Sequence, residues 1–365
     1  MLIEKKKYMY KLAEELFPIN RSITGNGLRK TLKIIKREIP KLKIKSVKSG
    51  TKIFDWIVPK EWNVKDAYIE EPSGKRIVDI NNNNLHLVGY SKPINKTINL
   101  DKLQNHLFSL PDQENAIPYV TSYYKENWGF CITHNQRKNL KKGDYKVVIK
   151  SELKKGELNY GELIIPGKSK KEIFFSTYIC HPSMANNEIS GPVCLTAIVK
   201  ELQKIKNNFT YRIVFIPETI GSLCYLKKNL RTMKKNIIAG FNITCVGDNK
   251  EYSFIPSRQG NTLADEVLLH VLENNNKKFK KYTFLDRGSD ERQYCSPGAD
   301  IPLVVFCRSK FGEYPEYHTS LDNLNFISEE GLDGSFDVLT KVISIIENNK
   351  KVFSKFVGEP QLGRR

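Results

Sequence analysis

The chain predicts an α/β protein, a mixed, mostly parallel sheet with helices on both faces and an inserted β-rich domain. Two observations predict it. From about residue 158 onward, short apolar runs alternate with helical stretches, which is the pattern of strands buried on both faces and covered by helices. Residues 51–150 instead carry short alternating runs separated by Gly, Pro and Asn clusters, the signature of antiparallel β-structure.

The elements follow in order. Leu2, Tyr8, Leu12 and Leu16 fall at helical spacing and Pro18 ends the pattern, so residues 2–16 predict a first helix. After the turn-rich RSITGNG, Leu28–Ile39 repeats apolar residues at three and four before Pro40, giving a second. IFDWIV, KRIVDI, NLHLVGY and YKVVIK predict strands within the insertion. ELIIPG, EIFFSTYIC, YRIVFIPE, AGFNITCV and IPLVVFCR predict the main sheet, with helices near 191–205, 221–230, 262–275 and 328–347. The two N-terminal helices have no sheet of their own to cover, so residues 1–50 join 151–350 in the α/β domain; 51–150 are the insertion and 351–365 a tail.

Composition narrows the function. At 365 residues and 40% hydrophobic, the chain can bury a sizeable core. No run approaches the roughly 18 apolar residues of a membrane span, and the opening MLIEKKKYMYKLAEELFP has charges where a secretory signal has its apolar stretch; a cytoplasmic protein is expected. Seven cysteines, an odd number without a CxxC pair, read as reduced core thiols. The net charge of +19 comes from lysines spread along the chain rather than gathered in a stripe, so nucleic acid is not expected as a partner. A homo-oligomer is compatible with the sequence.

Open α/β sheets place their chemistry beyond the carboxyl ends of the strands, so the residues following each apolar run are the candidates. His181 ends one run, with Asn187, Glu188 and Ser190 in the following loop; Glu218 ends the next, Asp248 follows the third, and His318 lies in the loop after the last, four residues before Asp322. Two histidines and two acids at one sheet edge are an N/O set that suits zinc with an open position. The strand-to-helix turn is expected to point Glu188 elsewhere. His86, His106, His134 and His270 read as structural. No GxSxG is present, and the glycines of ITGNG follow no strand, which argues against a serine hydrolase and a phosphate loop. Trp62, Tyr123, Tyr124 and Trp128 read as insertion core rather than as sugar-stacking rings.

The clusters resemble the zinc-dependent aminopeptidase superfamily over residues 150–345. More narrowly, LFPINRSITGNG, FDWIVP, IPYVTSYYKENWGFC, CHPSMANNEISGP, PETIGS, PSRQGNTLAD and YHTSLDNL resemble an aminopeptidase-like family associated with bacterial polysaccharide biosynthesis, nearly end to end. That resemblance implies a zinc-peptidase-like fold and an amide hydrolase acting on a peptide or other amide-containing small substrate through metal-activated water. It implies His181 and His318 as terminal ligands, Glu218 as general base, and Asp248 as substitute for an acid that would align at Thr244. Asn187 stands where the bridging Asp belongs, and a neutral amide bridges two cations poorly, so one zinc ion is expected rather than two. A catalytically silent binding or regulatory protein, or an amide hydrolase on a sugar or cell-surface precursor, are the alternatives. The segment holding Asp286, Arg287, Asp290, Glu291, Arg292 and Tyr294 looks like the loop facing the site, and Asp290, Glu291, Arg292, Tyr294 and Arg258 are the substrate-contact candidates. Family members continue into a C-terminal winged-helix domain beyond the point where this chain reads VGEPQLGRR, so no winged helix is expected.

Overall fold

The centre of the protein is four parallel strands, Phe209–Ile216, Ser169–Tyr178, Ile237–Ile243 and Leu303–Cys307, side by side in that order. The computed structural model describes residues 2–275, 278–350, 353–359 and 363, so only part of the expected tail lies within it. One flank is extended by Glu157–Ile165 and then Lys43–Lys48, both running antiparallel to their neighbours. The other carries Tyr252–Ile255, antiparallel to Leu303–Cys307, and then Phe279–Lys281. The eight-stranded sheet is therefore mixed with a parallel core. Lys43–Lys48 was not foreseen; three lysines along it give the sheet a charged edge, which discourages pairing with another chain.

Side-chain alternation sorts the core into two layers. Ile173, Phe175, Ile213, Phe215, Phe241 and Ile243 point to one face, where they meet the helices Leu2–Leu16, Asn26–Glu38, Ser190–Leu202, Leu263–Glu273 and Glu329–Asn348. The N-terminal pair thus packs on the α/β layer. Phe174, Val214 and Ile216 point to the other face, against the helix Ile220–Asn236 and the inserted segment. There the strands Arg76–Asp79, Glu61–Glu70, Asp144–Lys154 and Ile94–Asn99 form an antiparallel sheet whose Ala67, Ile69, Val147 and Ile149 join the same apolar cluster. The insertion shares a core with the main sheet.

NLHLVGY departs from its expected strand. The Asn83 side chain accepts from the Leu85 amide and starts a 3₁₀ turn at Asn84–His86, leaving only single bridges at Leu87 and Gly89. His86 then reaches the Cys131 carbonyl through Nδ1 at 2.8 Å, a structural bond. All seven cysteines are free and buried. Among the described residues no helix is long and apolar enough to cross a membrane.

Candidate active site

Each parallel strand delivers a polar residue at its carboxyl end. His181 follows Ser169–Tyr178, Glu218 follows Phe209–Ile216, and Thr244 follows Ile237–Ile243. His318 arrives from the loop after Leu303–Cys307, in a left-handed conformation at φ 55°. The insertion braces that loop: the Tyr119 amide donates to the His318 carbonyl at 2.8 Å, and Ser320 donates to the Ile117 carbonyl at 2.9 Å.

The two imidazoles come together. Their ring centroids are 5.4 Å apart, with Tyr119 packed 5.0 Å from one ring and 5.1 Å from the other. Tyr317 stacks on His318 at 3.9 Å. Burial, and then the neighbouring His181, push His318 down to about 3, so its ring is neutral. Its buried Nε2 has no partner among the described residues. Leaving such an atom unsatisfied costs about 1–3 kcal/mol, which marks it as awaiting something.

His181 is held from both sides. Its Nδ1 bonds Glu188 Oε2 at 2.6 Å, and its Nε2 lies 3.6 Å from Glu218 Oε2. Burial opposes charge on this ring, but the Glu188 carboxylate bonded to it outweighs that and raises it well above the ordinary value. The expectation that Glu188 points elsewhere is overturned. Residues Ala185–Ile189 form a π-helical turn rather than a regular helix start, and the wider turn brings Glu188 to face His181. Cys180, His181 and Glu188 present ligand atoms within 4.8 Å of one another, yet burial pushes the Cys180 thiol up to about 12 and its sulfur accepts from the Glu218 amide at 3.3 Å. It supports the loop as a neutral thiol.

Glu218 is part-exposed at the cleft, and burial raises its carboxyl, with His181 opposing. The next residue, Thr219, sits at φ 62°, held there by Asp290 Oδ1, which accepts from the Thr219 amide at 2.7 Å. Asp290 is wholly buried, and burial followed by the Glu218 charge raises it well above an ordinary carboxylate. It reaches the site from behind, through the chain that carries Glu218. Asn187 is buried, its Oδ1 accepting from the Tyr178 hydroxyl at 3.2 Å while Nδ2 has no partner among the described residues.

The structure places the other candidates as follows. Asp248 is not offered to the imidazoles: its oxygens accept from Asn186 Nδ2 at 2.9 Å, the Ser309 amide at 3.0 Å and the Lys250 amide at 2.8 Å. Glu291 caps its own loop, accepting from the Gly288 and Ser289 amides at 2.7 and 3.0 Å and from Asn242 at 3.1 Å. Tyr294 is core, its ring against Phe174 and its hydroxyl 3.1 Å from Ser176 Oγ. Arg258 is tied on the surface to Asp300 at 2.7 and 2.8 Å, and Arg292 is exposed. Asp322 was noticed only for its spacing, but it ties the halves of the site together. It accepts from the Asn186 and Asn187 amides at 2.6 and 2.9 Å and from the Tyr314 hydroxyl at 3.0 Å.

A cleft of about 270 Å³ opens beside His181 and Glu218, walled by Ile23, Ile220, Trp56, Tyr123 and Tyr124. Tyr123 and Tyr124 belong to this wall, whereas Trp62 and Trp128 are buried as expected.

The family model described as "Domain of unknown function (DUF4910)" matches residues 10–349. A Clostridium acetobutylicum protein, provisionally named for polysaccharide biosynthesis with an aminopeptidase-like domain, is 47% identical over 358 residues, 98% of this chain and 82% of its own. A crystal structure from the same organism, provisionally assigned as a peptidase, is similar with a TM-score of 0.96 at 46% identity, covering 99% of this chain and 85% of that one. The zinc aminopeptidase of Bacillus subtilis has the same fold, with a TM-score of 0.67 at 15% identity over 96% of each chain.

Proposed function

This chain belongs to the DUF4910 family, and from that premise we propose that it is an aminopeptidase-like, metal-dependent hydrolase of amide bonds. The observation that carries the reading is the unpartnered, buried Nε2 of His318 beside the ring of His181. Two imidazoles on one tetrahedral zinc, with Zn–N near 2 Å, have centroids roughly 5 Å apart, and these stand at 5.4 Å. Neutral His318 and the carboxylate on His181 Nδ1 are the states and support that zinc-binding imidazoles need.

His181 and His318 would hold one ion, with the Asn187 amide oxygen as a neutral third donor. The Tyr178 hydroxyl can pair with either amide atom, so turning the Asn187 side chain over frees that oxygen. One ion is assigned rather than two, since Asn187 is uncharged and Asp248 is engaged by Asn186 and Ser309. A bound zinc ion would acidify water and polarise an amide carbonyl. Glu218, beside His181 Nε2 and raised by burial, accepts the proton of the attacking water and passes it to the leaving amine. Tyr119, packed against both rings, keeps bulk water off them. The substrate is a peptide or another small amide.

Purified protein should carry about one zinc per chain by elemental analysis, and His181→Ala and His318→Ala should each lose it. Undiminished amide hydrolysis by metal-free protein would overturn the mechanism. Asn187 also favours a second reading, a silent relative that binds without hydrolysing. Asn187→Asp separates the two: a rise in bound metal and in aminoacyl-substrate hydrolysis identifies a weakened enzyme, and no change in either favours the silent reading.

A further inference from the structure

The segment Asn20–Asn26 is a wall between two cavities. Its odd residues serve the active site: Arg21 Nε donates to the His181 carbonyl at 2.9 Å, and Ile23 lines the cleft beside Glu218. Its even residues Asn20, Ser22, Thr24 and Asn26 line a separate cavity of about 550 Å³ on the far side, closed by Asn63 and Ser151 of the inserted sheet. The segment is an irregular turn that enters the helix at Asn26, with Arg21 and Ile23 on one side and Asn20, Ser22, Thr24 and Asn26 on the other. Nothing in the hydrolytic reading uses the second cavity.

The chemistry of its lining is specific. Its polar groups are mostly neutral amides and hydroxyls, set beside Trp62 and Val64, and charge is confined to the exposed Lys65, Glu152 and Lys150, the last held by Asp66 at 3.2 Å. Ser22 is only 4% exposed and lines the cavity, yet its hydroxyl makes no hydrogen bond among the described residues. The first amide of the helix Asn26–Glu38 is already taken by Asn63 Oδ1 at 2.7 Å, so this is a poor anion cradle. A buried, free hydroxyl among carboxamides instead matches groups that donate and accept at once.

We propose that this cavity binds a neutral saccharide, whose vicinal hydroxyls pair with Ser22, Asn20 and the neighbouring amides, in a space sufficient for about two sugar rings by the usual dimensions of ligand pockets. The site is independent of metal and of hydrolysis. Ligand-observed saturation-transfer NMR on the full chain, with maltose, cellobiose and N,N′-diacetylchitobiose as probes and inorganic phosphate as competitor, tests it. At least one disaccharide should bind, phosphate should not displace it, and Ser22→Val should weaken it at least tenfold with the circular dichroism unchanged. Asn20→Ala, at a half-buried position, gives the same readout should Ser22→Val fail to fold. No binding by any of the three sugars, displacement by phosphate, or unchanged affinity in both variants would overturn the assignment.

Discussion

Glu188 fixes His181 through Nδ1 and thereby leaves Nε2 facing the cleft. Carboxylates in this position typically alter metal affinity by about 10- to 100-fold. Glu188→Gln is therefore expected to lower zinc affinity by about that factor without unfolding the protein, measured by competition with a chromogenic chelator. Thr219 carries the opposite kind of constraint, a β-branched residue at φ 62° held by the Ile220 amide donating to the Glu218 carbonyl at 2.8 Å and by its own bond to Asp290. Thr219→Gly should raise stability by up to about 1 kcal/mol while lowering kcat, because the relieved backbone no longer aims Glu218. Urea titration and steady-state hydrolysis read the two effects separately. Residue types alone pointed to His181, Glu218 and His318. They did not show that Glu188 would turn inward or Asp248 away, because each depends on a bond to a partner distant in sequence or on a non-standard turn.

The helix Ser190–Leu202 lies so close to the sheet that its first turn admits almost no side chain. A Cβ at Gly191 would stand 2.4 Å from Thr177 Oγ1 and 2.6 Å from the Ile243 carbonyl. Gly191→Ala should destabilise by about 1–3 kcal/mol, the usual cost of overpacking, seen as a lower urea midpoint at unchanged m-value. The preceding π-turn depends on this docking. With the helix pinned at Gly191 and Asp322 holding the amides of Asn186 and Asn187, the intervening residues must widen into a π-turn. Helix and strand periods were legible in the sequence to within a few residues, since they follow from local apolar spacing. The π-turn was not, because its cause lies in the loop that carries Asp322.

The whole molecule is joined by contacts that cross between its sheets. Glu61, at the start of an inserted strand, takes Arg29 of the helix Asn26–Glu38 at 2.6 and 2.9 Å and the Glu157 amide of the main sheet at 3.1 Å. The Arg29 bond, set against burial, lowers Glu61 from an ordinary 4.5 to about 2. Such a depressed carboxyl stabilises the fold fully above about pH 4.5 and loses that contribution as pH falls toward 2, on the order of 2–3 kcal/mol. Glu61→Gln should accordingly cost stability at pH 7 and progressively less as acid is added, followed by chemical denaturation across pH. The shared apolar cluster predicts that insertion and main sheet unfold together, with fluorescence and circular dichroism transitions coinciding in urea. By itself, the sequence determined the α/β class and pointed to the strand ends as candidate positions, because apolar periodicity and strand-end polarity are local properties of the chain. Only the tertiary structure decided that Trp56, Tyr123 and Tyr124 wall the cleft beside His181 and Glu218, that Asp248 is spent on Asn186 and Ser309, and that Asn20–Asn26 separates two cavities. Those outcomes depend on which distant segments compete for the same buried space and the same hydrogen bonds.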